Sequence, residues 1–170
     1  MTPSLFSLVE QWVLRMLDAV VILLAGVLLI LLNYAVFSRF VLNSSVSWGE
    51  ELPANLLAVL TFIGAAYLTK INEHLGFDSV LRLMPMLWQR IVLSINHAFM
   101  LAFAVAVFYY GSLASLGFHG RSLISIDLPL ALFRWAMPVG FALIAIISAW
   151  RLIGLVSGKV HPTDLYPETD

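Results

Sequence analysis

Few residues in this 170-residue sequence could do chemistry, and their placement excludes more than it suggests. An ionisable side chain inside an apolar segment is costly unless it is paired or hydrated, so each one is a functional candidate. Arg134 is the clearest case. It lies six residues into an apolar run that begins at Leu128, roughly 9 Å below the start of that run at ~1.5 Å per residue. It is expected to snorkel to the interface, to pair with Glu50, Glu51 or Asp127, or to contact a partner protein; a direct role on a solute is the weaker reading. Asn96 and His97 sit early in another apolar run. A haem or metal site in a helical bundle needs further ligands at matching depth. Because His74, His119 and His161 fall outside the runs, His97 reads as a hydrogen-bonded packing residue, and no cofactor is expected.

The remaining chemistry is excluded by residue type. No Ser/His/Asp set, Gly-rich phosphate loop or pair of mid-run carboxylates occurs, which leaves an enzyme or ATPase nothing to work with. All ten acids lie at the ends of the apolar runs or outside them, so a stand-alone proton-coupled carrier lacks its usual midplane carboxyl. The chain has no cysteine, which removes disulfides, thiol nucleophiles and iron–sulfur ligation. A net charge of −1 with nine scattered Lys and Arg argues against a nucleic-acid partner, since phosphate binding needs a concentrated basic surface.

The elements that hold these residues are membrane helices. The chain is 61% hydrophobic and only 11% charged, with a mean hydropathy of +0.96. Four continuous apolar runs, at about 19–37, 52–69, 91–110 and 128–150, are each long enough for a hydrocarbon core of ~30 Å. They lack the polar stripe of a soluble bundle helix and the alternation of a barrel strand. The expected fold class is therefore all-α integral membrane, a single domain over 1–170 with four transmembrane helices plus short amphipathic interfacial helices. The first run shows no small-x-small cleavage site after Leu32 and reads as a retained helix.

Six basic residues (Arg15, Lys70, Arg82, Arg90, Arg151, Lys159) flank one side of these spans, and only Arg39 and Arg121 flank the other. The positive-inside bias then places both termini and the second loop in the cytoplasm. Within that loop Phe77, Val80, Leu81 and Met84 share one face about 100° wide, with Asp78, Ser79 and Arg82 opposite, which predicts a short interfacial helix over about 73–84. Pro85 should open the run-in to the third span. In the first loop, Asn43, Ser44, Ser45 and Ser47 are placed to cap the second span, with Glu50 and Glu51 against its dipole. The tail over 157–170, with Pro162 and Pro167, reads as mobile.

The second span carries a positive signal. Glu51, Ala54, Ala58, Thr61 and Ala65 fall within about 80° of one another, and Leu52, Leu56, Leu60, Ile63 and Tyr67 lie opposite. Small residues let helices approach closely in lipid, where apolar burial gives no drive to associate. The seam is expected to face protein, either a partner or this chain's own bundle, and the leucine side to face lipid.

In order along the chain stand Arg39-Phe40, Ser47-Trp48-Gly49-Glu50-Glu51, Leu60-Thr61-Phe62-Ile63-Gly64-Ala65-Ala66, Glu73-His74-Leu75-Gly76-Phe77-Asp78, Leu128-Pro129 and Pro138-Val139-Gly140. This order, spread over four spans, resembles the small (DctQ-type) membrane subunit of tripartite ATP-independent periplasmic (TRAP) transporters of the bacterial inner membrane. The resemblance implies a large multispan subunit that carries the sodium and substrate sites, and a periplasmic binding protein that delivers an organic acid such as sialic acid or a C4-dicarboxylate. It also implies that Trp48, Glu50 and Glu51 set the outer interface and that Glu73, His74 and Asp78 lie in the cytoplasmic surface helix. Arg39, Ala54, Ala58, Thr61, Ala65 and Arg134 complete the candidate interface, with membrane lipid around it. The competing readings are an assembly or regulatory subunit of another multispan complex and a small homo-oligomeric carrier.

Overall fold

Hydrocarbon offers no hydrogen bonds to an amide, so an apolar chain must close its own backbone, and a helix does this within one segment. The computed structural model describes residues 5–70 and 83–158, with side chains described over 15–69 and 83–158. The described residues form five helices: α1 Leu5–Phe40, α2 Glu51–Lys70, α3 Met86–Leu116, α4 Leu130–Arg134 and α5 Ala136–Val156. Among the described residues there is no strand, only an isolated antiparallel bridge between Ser122 and Pro129. Four segments are long and apolar enough to cross a membrane: Arg15–Phe40, Glu51–Thr69, Met86–Leu116 and Leu130–Val156. The fold is all-α with four such helices, as expected.

The helices outrun the apolar runs. α3 has 31 residues where the run at 91–110 marks only its middle. Hydropathy reports the part immersed in hydrocarbon, whereas the backbone ladder continues through the interfacial zone. Pro85 precedes α3, and its carbonyl accepts from the Trp88 amide at 2.9 Å. The fourth span differs more. It starts at Leu130, and a turn at Trp135 separates α4 from α5. Pro138 lies just beyond that turn; without an N–H it cannot donate to the carbonyl of Arg134, four residues back. The interfacial helix expected over 73–84, with Glu73, His74, Asp78 and Arg82, lies outside the described residues apart from Leu83 and Met84, which form a turn. Of the tail expected over 157–170, only Ser157 and Gly158 are described.

The principal helix contacts run in the order α3–α5–α2–α1, so α5 lies between α3 and α2 while α1 flanks α2. At the centre Ala66, Ala104 and Ile144 are buried together, with Phe141 and Met100 against them. The Phe141 ring meets Phe62 on one side, centroids 6.2 Å apart, and Phe103 on the other at 5.8 Å. Small residues make this closeness possible. A Cβ on Gly140 would stand 2.6 Å from the Phe62 carbonyl oxygen, so only glycine permits the observed α2–α5 crossing. α1 is different: Ile22, Leu23, Leu29, Ile30 and Phe40 are all exposed, with Leu17, Leu28 and Ser38 buried.

Candidate partner interface

The first loop folds back on α1. The amides of Val41 and Leu42 both donate to the Phe37 carbonyl, and the Ser38 hydroxyl donates to the carbonyl of Ser44. Asn43 takes φ +52°, a left-handed conformation that asparagine tolerates and most residues do not. Trp48 stacks on Tyr34 of α1, centroids 5.9 Å apart and planes 10° from parallel. Trp48 therefore ties the loop to its own chain. The first amides of α2 are met by main-chain carbonyls, Leu52 by Trp48 and Ala54 by Glu50, and not by the serines expected to cap it. Arg39 Nη1 and Glu50 Oε1 lie 3.5 Å apart, with the two side chains 63% and 93% exposed, so this pair adds little to stability. Both contribute to the wall of a groove of about 170 Å³ between the end of α1 and the loop.

Glu51 has an internal task that its place on the small-residue seam does not reveal. Its carboxylate accepts the Ile124 amide at 3.0 Å, the Ser125 amide at 2.8 Å and the Ser125 hydroxyl at 2.6 Å. The start of α2 is thereby fastened to the loop before α4. That loop is also closed by the Leu123 amide on the Leu128 carbonyl and the Leu130 amide on Arg121, with Leu123 buried beneath. Ile124 stands at its tip, 99% exposed.

Arg134 is exposed at the end of α4. Its guanidinium carbon lies 5.1 Å from the centroid of the Phe118 ring, and Arg121 approaches the same ring at 5.6 Å. Of the three alternatives for Arg134, the pairing with Glu50, Glu51 or Asp127 is not made among the described residues. Glu51 is already engaged by Ser125, and the α4–α5 turn carries Arg134 to loop level beside Phe118. Phe118 and Arg121 were not among the expected interface residues. Their signal in the sequence is weak, a Phe and an Arg three residues apart in a loop.

The seam on α2 divides. Ala65 packs within the chain, against the Ala66–Ala104–Ile144 cluster. Ala58 is half-buried, whereas Ala54 and Thr61 are exposed, joined on the same stripe by exposed Leu57 and Leu68. Thr61 closes its own hydroxyl on the Leu57 carbonyl at 2.8 Å, so no polar group on this stripe is left open to lipid. The opposite side corrects the expectation. Ile63 is buried and Leu52, Leu56, Leu60 and Tyr67 are half-buried, because that side meets α1 and α5 instead of lipid.

At the far end of the bundle Arg151 Nη1 donates to the Thr69 carbonyl at 2.6 Å, joining α5 to the last turn of α2. His97 is buried, and its Nδ1 has no hydrogen-bond partner among the described residues, so the hydrogen bond expected of it is not made at that atom.

Residues 28–158 match the family model described as tripartite ATP-independent periplasmic transporters, DctQ component. No curated protein matches the chain. The matched stretch takes in all of α2 to α5 and the part of α1 that bears the first loop. That family is a transporter component and not an enzyme family, multi-pass in the inner membrane, and works with a larger membrane subunit and a periplasmic binding protein. With four spanning helices and a match over most of its length, the chain belongs to the DctQ family and is the small membrane subunit of a TRAP transporter.

Proposed function

We propose that this subunit acts mechanically, as a lateral scaffold that widens and anchors the large subunit in the bilayer while that subunit's transport domain slides in a sodium-coupled, elevator-type cycle. The transported solute is an organic acid such as sialic acid or a C4-dicarboxylate, and both termini of this chain face the cytoplasm. The observation that carries the reading is the stripe of Ala54, Leu57, Thr61 and Leu68 on α2, which no other described helix covers and which is smooth enough for close approach. Arg39, Trp48 and Glu50 lie by the outer end of the same helix and would frame the same contact. All acids of the chain lie outside the middle of the spans, which supports a partner's role over that of a carrier.

Deleting the chain from cells that express the large subunit and the binding protein tests this. Uptake should fall to background while the binding protein retains its affinity for the acid. Uptake at normal rates without this chain would refute the scaffold.

A further inference from the structure

Arg121 and Arg134 gather two positive charges around one half-buried ring, that of Phe118, at 5.6 and 5.1 Å. Neither guanidinium forms an ion pair with a described carboxylate, so both keep their charge available. Stacking on a ring uses the face of a guanidinium and leaves its in-plane N–H groups open. An anion with several oxygens can accept from more than one guanidinium, and phosphate suits the arginine fork.

The surroundings decide which phosphate. Leu113 and Leu116 on the last turn of α3 and Leu132 on α4 are exposed, at 52%, 50% and 66%. Arg134 lies four residues from the start of α4, only ~6 Å along the axis from the loop. The pair therefore sits where a spanning segment meets water, with apolar side chains on its membrane side. A soluble acidic protein would gain nothing from those leucines, whereas acyl chains would cover them.

We propose that Arg121, Arg134 and Phe118 form a phospholipid headgroup site. The two guanidinium groups bind the phosphate of a lipid in the leaflet that meets the C-terminal end of α3, and its acyl chains lie along the exposed leucines. Such a bound lipid would fix the height of α4 relative to the bilayer.

Native mass spectrometry of the full chain in detergent, titrated with phosphatidylglycerol and separately with diacylglycerol of the same chains, tests the site. The wild type should retain phosphatidylglycerol roughly tenfold better than diacylglycerol, and R121Q/R134Q should lose that preference. R39Q, which removes the other outer arginine, should leave it unchanged. Should the double variant lose helicity by circular dichroism, R121K and R134K serve instead; each keeps the charge but not the fork and should weaken retention several-fold. Equal retention of both lipids, or a preference that survives the substitutions, overturns the site. So does displacement of phosphatidylglycerol by millimolar inorganic phosphate, because a free anion would then suffice.

Discussion

The Ser115 hydroxyl donates to the carbonyl oxygen of Arg134 at 3.1 Å, across the gap between α3 and the end of α4. That carbonyl is the one Pro138 leaves without a helical donor. Ser115 is itself buried, so the bond removes two polar groups from an apolar setting at once. A break in the fourth span is in this way mended by a residue on a different helix.

Ser115→Ala should therefore destabilise the bundle by about 1–3 kcal/mol, the usual cost of a buried group left unsatisfied. Restoring the amide with Pro138→Ala should shrink the cost of Ser115→Ala, even though Pro138→Ala carries its own packing loss. A double-mutant cycle measured by reversible unfolding in mixed micelles checks this; additive costs would mean that the two residues do not share the carbonyl.

Gly140→Ala should force α2 and α5 apart, because its Cβ would meet the Phe62 carbonyl oxygen at 2.6 Å. A loss of about 1–3 kcal/mol is expected from overpacking. Gly64→Ala is the internal control, with nothing within 4 Å of the added methyl, and should be neutral or slightly stabilising through helix propensity. The same unfolding assay ranks the two.

Glu51→Gln keeps the shape of the side chain but replaces one of its two accepting oxygens with a donor. The loop before α4 should loosen, and the amides of Ile124 and Ser125 should exchange with deuterium faster than in the wild type while amides near Ala104 do not change. Unaltered exchange at both sites would mean that the loop is held by Leu123 and its backbone bridge alone.

Ala54→Leu with Thr61→Leu adds bulk to the exposed stripe of α2 and should leave this subunit's own helicity and unfolding intact. Co-purification of the large subunit should drop sharply. Full recovery of the complex would place this stripe against lipid.

Topology can be read with single cysteines, since the natural chain has none to interfere. Ile124→Cys at the exposed loop tip should react with a membrane-impermeant maleimide added to intact spheroplasts, and Ser157→Cys beyond α5 only after permeabilisation. The reverse pattern would invert the proposed orientation.

What the residues alone determined is what a solvent imposes one position at a time. Each apolar run must leave water and close its own hydrogen bonds, so the four spans and the all-α class were legible from hydropathy, and the order of short motifs carried the family. Helix ends were less legible, as at α3, because transfer energies change at the hydrocarbon boundary while backbone bonding does not. Only the tertiary structure decided which face of α2 lies inward, that Glu51 serves Ser125 across 74 positions of sequence, and that Arg134 shares Phe118 with Arg121. In lipid a leucine is as comfortable against another helix as against an acyl chain, so its type does not say which it will meet. Helix faces are chosen instead by shape, by a glycine at 140 that lets a backbone come close and by carbonyls that need a donor, and shape arises between residues rather than within one.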